Sequence, residues 1–571
     1  MATNDYQKTG KNKDALFSLT AYRGEGMLLL AMNWKNGKPP MDFVGFSIEY
    51  KEPEGTQFFA LKNRISFLDA EGKPSKTNLS SLQSPFQKFR WVHFPRNAEQ
   101  LGDFCYRVKP VFMNADEDLS YGEAQTVDIE LNRETYPNRL NVSFTRGYIA
   151  SQSFVDTYEP DGGIPALLPA DSKAGLGFQA THPKADKAFT WMGFEARKEI
   201  LGILDAAIND PTAEVRVTAY DLNQPEIVDR LVTLGSRLKV IIDDSKDHAE
   251  DGAAENEAAK KLTISTGGQV KRQHMSKLQH NKTIVVKGSK LQTALCGSTN
   301  FSWRGLYVQA NNAVTVHGAE AVRPFWEAFE QYWTSDDAKG FGITVSANWC
   351  NLSLDGIDAK VSFSPHSADN TMLGSIANDI WKNTQSSLFY SLAFLYQTEG
   401  PIREVISILT AAGEKFIYGV SDKRTGGIYL QKPNGSVLPV YPSEISKGLP
   451  EPFKSEPTGG RGVRMHHKFI VIDFDKPTAR VYTGSYNFSG AADKSNGENL
   501  LMIRDRKIAV SYMIEGLRIF DHYHFRVAQN ESKAKGTVLA LAKPPRTSGE
   551  TAWWEEYYTD KLKIRDRELF G

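Results

Sequence analysis

One short pattern occurs twice in this chain. The first copy is His280-Asn281-Lys282, followed by Gly297-Ser298-Thr299-Asn300-Phe301-Ser302; the second is His466-His467-Lys468, followed by Gly484-Ser485-Tyr486-Asn487-Phe488-Ser489. The separation from His to Gly is 17 residues in one and 18 in the other. A duplicated constellation at matched spacing implies two copies of one structural unit, so the chain should contain two lobes of similar plan.

The segments around the copies bear this out in order. From about residue 146, strand and helix patterns alternate. A helix is expected over Ala188 to Ile208, with Ile200, Ile203, Leu204, Ala207 and Ile208 on one face. The strand Val215–Tyr220 follows. Pro225 opens a helix that ends at Leu234 before Gly235, and the strand Leu238–Ile242 comes next. The acidic, Ala-rich stretch Asp243 to Glu257 reads as a surface loop or short helix. The order then repeats: strand Val361–Pro365, helix Leu373–Asn383, strand Ser387–Leu395, helix Pro401–Ala412 before Gly413, and strand Lys415–Val420. A long Gly/Pro-rich loop is expected from Asp422 to Gly462. A helix near Tyr512 to Gln529 is expected to pack behind the second lobe, and the aromatic stretch Trp553–Phe570 to dock as a tail.

Residues 15 to 145 read differently. Phe43–Tyr50, Phe86–Phe94 and Cys105–Phe112 are apolar, aromatic and partly alternating, with turn-rich segments between them and no amphipathic helix. A β-sandwich is the simplest packing. The expected fold class is therefore α/β, with two α-β-α lobes preceded by an all-β domain. The expected boundaries are 1–145 for the β domain, 146–345 and 346–535 for the lobes, and 536–571 for the tail.

At 571 residues the chain is too long for one core. Its 68 basic and 68 acidic residues balance, so an anionic substrate must be drawn by a local patch rather than by overall charge. Cys105, Cys296 and Cys350 are too few and too scattered for a disulfide framework or a zinc site, which favours a reducing, cytoplasmic setting. Met1 to Asp14 lacks an apolar signal core, and no apolar run approaches the length of a membrane span.

In a strand, positions i and i+2 share a face. His280 and Lys282, at the start of Thr283-Ile284-Val285-Val286, should therefore point together, as should His466 and Lys468 before Phe469-Ile470-Val471-Ile472. The returning strand brings the Gly-Ser-x-Asn turn beside the His. Gly297 and Gly484 permit close backbone approach, while Ser298, Asn300, Ser485 and Asn487 offer neutral donors to phosphate oxygens. His274 and His317 read as structural, and His467 as facing away. Lys271, Arg272, Lys277, Lys282, Lys287 and Lys290 make either a solvated face or a positive mouth to the site. Trp303 and Tyr486 could stack on a base or an acyl glycerol, or simply pack.

This pattern resembles the phospholipase D superfamily, whose signature is His-x-Lys-x4-Asp followed by a Gly-Ser turn. The resemblance covers roughly residues 146 to 530. The second copy matches fully through His466, Lys468, Asp473, Gly484, Ser485 and Asn487, with Glu498-Asn499 beyond; the first departs at Lys287, where the family has Asp, and at Asn311, where the second copy has Glu498. The resemblance implies hydrolysis of a phosphodiester without metal or other cofactor. His280 would attack phosphorus and form a phosphohistidine, and His466 would protonate the leaving oxygen and then activate water. Lys282, Lys468, Ser298, Asn300, Ser485 and Asn487 would stabilise the phosphoryl oxygens. Asp473 would be structural, and Glu498 would orient His466 and raise its pKa.

Three functions remain open at this stage. The Gly484–Ser489 and Asn496–Leu501 segments look most like the nuclease-type branch, which makes nucleic acid the leading substrate. A phospholipase D acting on phospholipid headgroups at a membrane surface is the second. A binding protein with a decayed first half-site is the third, against which the retention of His280, Lys282, Ser298 and Asn300 argues. The β domain is a candidate recognition or oligomerisation module by fold analogy alone.

Overall fold

The computed structural model describes residues 5–131, 134–147, 154, 157–171, 173, 175–396, 399–422, 428–434, 437–440 and 465–571. These divide into two compact units, one of residues 1–133 with 510–571 and one of residues 134–509.

The first unit is a β-sandwich. One sheet has four strands, in the order Gln7–Thr9, Phe17–Arg23, Leu28–Trp34 and Arg90–His93. The other has five, built around the pair Phe43–Lys51 and Asp103–Met113. Alternate residues of Asp103–Met113 are buried, as a strand with one face on a core requires. Phe17, Phe46, Phe104 and Tyr106 fill the interior with Trp554 of the tail. Phe86 to Phe94 is not one strand: Phe86 bridges to Phe46 in one sheet while Arg90–His93 pairs with Leu28–Ala31 in the other, so the segment crosses between sheets. The expected helix runs over Arg506–Ala534. From Val510 onward it belongs to this β unit rather than to the second lobe. Ser511 Oγ donates to the buried Glu25, and Arg90 Nη1 donates to Asp521 Oδ2 at 2.7 Å.

The second unit holds both lobes. The first has a seven-stranded mixed sheet, ordered Leu140–Phe144, Asn312–His317, Gln292–Gly297, Lys282–Lys287, Glu214–Ala219, Leu238–Ile242 and Val270–Arg272. Leu140–Phe144, assigned from sequence to the accessory domain, is an edge strand of this sheet. The second lobe repeats the plan in nine strands, with Asp358–Ser364, Glu498–Arg504, Arg480–Gly484, Lys468–Ile472, Ser387–Leu392 and Phe416–Asp422 in the corresponding order. Ile428–Gln431 and Val437–Val440, both inside the expected 422–462 loop, extend it further; residues 441–464 lie outside the described residues. The lobe helices Ala185–Ile208, Pro225–Leu234, Met372–Asn383 and Pro401–Ala412 form where periodicity placed them. Gln224 caps the second of these by accepting from Ile227 N, and Gly235, at φ 57°, ends it.

The Asp473 position has a mechanical role in the second lobe. Its buried carboxylate accepts from the backbone N–H groups of Gln385, Ser386 and Ser387, tying the 473–476 hairpin to the start of the Ser387–Leu392 strand. Lys287 cannot do this. In the first lobe the tie runs in reverse: Asp210, before the Glu214–Ala219 strand, accepts from Lys290 N in the hairpin at 2.9 Å and from Thr212. The sequence departure at Lys287 is thus compensated by a carboxylate on the other side of the same junction. Lys287 itself lies over the Trp326 ring. Among the described residues no helix is long and apolar enough to cross a membrane.

Candidate active site at the junction of the two lobes

The half-sites meet through two symmetry-related backbone bridges. Gln279, which precedes His280, bridges to Gly497, which precedes Glu498; Met465, which precedes His466, bridges to Ala310, which precedes Asn311. The bonds are Gly497 N to Leu278 O at 2.9 Å and His466 N to Ala310 O at 3.1 Å. The bridges set each histidine against a strand of the opposite lobe.

Glu498 therefore orients His280, not His466 as the sequence suggested. His280 Nδ1 lies 2.7 Å from Glu498 Oε2, which also accepts from Ser485 Oγ at 2.7 Å. His466 Nδ1 lies 2.8 Å from Asn311 Oδ1. The two departures noted in the first copy thus bear on different things: Lys287 on a hairpin, Asn311 on the other half-site's histidine. In both rings Nδ1 is engaged, which leaves Nε2 for chemistry. The rings are 6.3 Å apart at 72°. Imidazoles at this separation can engage different sides of one phosphoryl group.

Both lysines are almost fully enclosed, each about 1% exposed, and each Nζ donates to the carbonyl of its own histidine. Burial lowers the Lys282 pKa to about 8, against the pull of Glu498, Asp221 and Asp243. Burial lowers His280 as well, with Lys282 and Lys468 adding to the effect and Glu498 opposing it. Glu498 stays ionised, because His280, Lys282 and the Ser485 hydroxyl outweigh its burial. His466 is pushed well below the ordinary histidine value by burial and the surrounding cations, with no carboxylate among the causes to counter them. The expectation that Glu498 raises the pKa of His466 is overturned by this geometry.

The Gly-Ser-x-Asn turns sit beside the histidines. Gly297 and Gly484 have φ of 141° and 140°, and a Cβ there would meet the carbonyl oxygens of Asn312 and Asn499 at 2.5 and 2.2 Å. No other residue fits that approach. Ser298 Oγ accepts from Asn312 N, and Ser485 Oγ accepts from Asn499 N while donating to Glu498. The serine hydroxyls thus hold the strands that carry Asn311 and Glu498. Asn300 and Asn487 each have an Oδ1 without a hydrogen-bond partner. As the two ends of an amide are isosteric, either can be turned toward a ligand. Trp303 is buried with its Nε1 on Gly175 O, and Tyr486 is buried with its hydroxyl on Asp493, so both pack. The basic run disperses as well: Lys271 caps the carbonyls of Tyr332 and Trp333, and Arg272 bonds Asn256 and the Asp243 and His248 carbonyls.

The sequence reading missed a charged cluster behind His280. The stretch expected to be a surface loop or short helix folds as the helices Lys246–Ala249 and Ala254–Thr266, but it buries Asp243, His248 and Glu255. His248 Nδ1 lies 2.7 Å from Asp243 Oδ2, and its Nε2 lies 3.1 Å from Asp221 Oδ1. Despite burial, these two carboxylates raise its pKa to about 10. Asp221, His248 and Glu255 are close enough to surround a metal ion. Both His248 nitrogens are taken up by carboxylates, which makes the group an ion cluster as it stands. Asp243 Oδ1 accepts from Gln279 N at 2.6 Å, and the Tyr220 ring packs on both His248 and His280. The signal available in sequence was Asp243 at the carboxyl end of a parallel strand. A Ser362–His366–Asp493 line, with contacts of 2.9 and 2.8 Å, is fully buried and fastens the Gly490–Lys494 helix to the sheet.

The family model described as "Cardiolipin synthase, PLD-like domain" matches residues 204–333 and 437–515, one stretch from each lobe and each containing a His-x-Lys pair. Both lobes thus carry sequence similar to the phospholipase D superfamily. Among curated relatives, superfamily proteins named Phospholipase D from Rickettsia felis and Rickettsia prowazekii are each 52% identical over 48 residues. That match covers 8% of this chain and 22% of theirs, so the chain spans about a fifth of the length of these relatives. Among solved structures, phosphatidylserine synthase from Haemophilus influenzae aligns over 61% of this chain and 94% of its own, at 14% identity and a TM-score of 0.41. The phospholipase D family member Nuc from Salmonella typhimurium aligns over 24% and 87%, at 25% identity and a TM-score of 0.21.

Proposed function

We propose that this protein hydrolyses phosphodiesters through a covalent phosphohistidine on His280, with nucleic acid as the substrate. The observation that carries the reaction is the unequal backing of the two histidines. His280 Nε2 attacks phosphorus while the leaving oxygen takes the proton of His466 Nε2. His466 then accepts a proton from water, and that water breaks the phosphorus–nitrogen bond. A ring phosphorylated at Nε2 is cationic, and the ionised Glu498 at its Nδ1 stabilises that charge. The general acid must give up its proton and regain it within one turnover. A neutral amide at Nδ1 suits that task better than a carboxylate, which would hold the proton. The incoming phosphate supplies the negative charge that keeps His466 protonated when it is needed. Lys282 and Lys468, with the Asn300 and Asn487 amides, are the proposed phosphoryl-oxygen contacts.

The choice of nucleic acid is supported by the resemblance of the Gly484–Ser489 and Asn496–Leu501 segments to the nuclease-type branch. The name of the rickettsial relatives favours phospholipid as the second reading. The test is a paired assay in EDTA, on single-stranded DNA or RNA and on phosphatidylcholine vesicles. Strand cleavage without choline release is the expected result. Choline release alone would replace the substrate, and no turnover of either, nor of bis(p-nitrophenyl) phosphate, would favour the decayed-site reading.

The backing makes a pH prediction. Asn311→Asp places a carboxylate at His466 Nδ1 and raises the pKa of that ring. A general acid works in its protonated form, so activity falls as pH rises through its pKa. The alkaline limb of kcat/KM should therefore move to higher pH in Asn311→Asp, while the limb set by His280 stays in place. An unmoved alkaline limb would remove His466 from the acid role.

A further inference from the structure

A cavity of about 520 Å³ lies within the β unit, walled by the strand ends near residues 62–65 and 86–94, the 506–534 helix and Ala540–Leu541. It is of the size that takes small organic ligands. Its apolar surface is largely aromatic, from Phe86, Trp91, Phe94 and Phe525. Its charge comes from Lys62, Arg64, Lys88 and Arg518; Asp521 is held by Arg90 at 2.7 Å and lies 3.9 Å from Lys88, and Arg518 is paired with Glu515, which leaves Lys62 and Arg64 as the cations with no carboxylate in the wall beside them.

The cations and rings are paired. Arg64 lies over Phe525 at 5.7 Å, Arg518 over Phe94 at 5.7 Å, and Lys88 beside Trp91 at 6.0 Å. The neutral polar groups of the wall are engaged elsewhere. Asn63 donates to the carbonyls of Ser84 and Pro85 and accepts from Ile65 N. Gln87 donates to Val44 O and Ala542 O and accepts from Ala542 N. Apart from these two amides the wall presents flat faces, positive charge and the His522 ring.

We propose that this cavity is a nucleotide-binding site, which takes a flat ring by stacking and its phosphate by charge, with little preference among bases. Stacking on aromatic residues and arginine tolerates any base because every base has a π face. An acyl chain with one terminal charge matches the walls less well, since the cations are spread among the rings rather than gathered at one end. The ligand chemistry is the same whether the nucleotide is free or is the phosphorylated end of a strand.

The test is fluorescence polarisation of N-methylanthraniloyl-AMP on the full chain, competed by AMP, CMP, a 5′-phosphorylated tetrathymidylate and lysophosphatidate. Each competitor is also run on Arg64→Glu, Trp91→Ala and Lys282→Ala. We expect AMP and CMP to compete alike and Arg64→Glu to weaken binding roughly tenfold. Trp91→Ala should weaken it too, whereas Lys282→Ala, with its change in the histidine site, should leave it unaltered. Stronger competition by the tetrathymidylate than by AMP would assign the site to strand ends; equal competition would assign it to free nucleotides. Unaltered thermal unfolding of Arg64→Glu separates lost binding from lost folding, and Trp91→Ala serves as the second variant should that one unfold. Binding that survives both cavity variants, that is lost in Lys282→Ala, or that yields only to lysophosphatidate overturns the proposal.

Discussion

Replacing His280 with alanine is expected to lower turnover of every phosphodiester tested by about 10⁴-fold or more, because among the described residues no other group in the site offers a free nitrogen backed by a carboxylate. The companion variant should fail differently. His466→Asn keeps the nucleophile but removes the acid and base. With bis(p-nitrophenyl) phosphate, whose leaving group departs without a proton, the first step should still run and the second should stall. A stoichiometric burst of nitrophenolate followed by slow turnover is the expected trace, with a nitrophenyl phosphoryl adduct on the peptide containing His280. The adduct depends on the contrast between Glu498 at 2.7 Å from His280 and Asn311 at 2.8 Å from His466. An adduct on His466, formed in His280→Asn instead, would exchange the two roles. Steady turnover without a burst in His466→Asn would remove the covalent intermediate.

Glu498→Gln should cost roughly 10²- to 10⁴-fold, and the leaving group tells which histidine it serves. The glutamine keeps a hydrogen-bonding group near His280 Nδ1 but loses the charge that stabilises the phosphorylated ring. If Glu498 backs the nucleophile, the loss persists with the p-nitrophenyl ester. If it backed the acid, as the sequence pattern suggested, that ester would rescue the variant, since its departure needs no proton. Ser485 Oγ and Asn496 Nδ2 also donate to this carboxylate, so an unchanged melting temperature must accompany the kinetic result. Full activity of Glu498→Gln with an ordinary ester would take the carboxylate out of the mechanism.

Much of the fold was legible because its signals are local. The helices Pro225–Leu234 and Pro401–Ala412 announce themselves by a proline at one end, a glycine just past the other and an apolar stripe between. The strands carrying His280 and His466 were visible from the apolar runs that follow each motif. Where the sequence reading went astray, long-range pairing decided. Phe86–Phe94 has the composition of a single strand, yet its two ends pair in different sheets. The helix beginning at Arg506 has an apolar face that says nothing of what covers it, and from Val510 it joins the β unit. The acidic stretch after Asp243 looked solvated because composition alone does not show that His248 is held between two carboxylates in the interior.

The same division runs through the candidate site. The sequence by itself determined which groups are present in each half: a histidine two residues before the lysine that opens a strand, and a glycine turn at the end of the next strand, because both relations are set by local spacing and by a short hairpin. Only the tertiary structure decided which partner each imidazole receives. The residues that orient the histidines come from 218 and 155 positions away, across the lobe interface and beside its two single backbone bridges. Those bridges exchange the partners between lobes, giving the carboxylate to His280 and the amide to His466. Chain spacing carries no record of that exchange, because it is set by how one lobe rests on the other and not by any contact within a lobe.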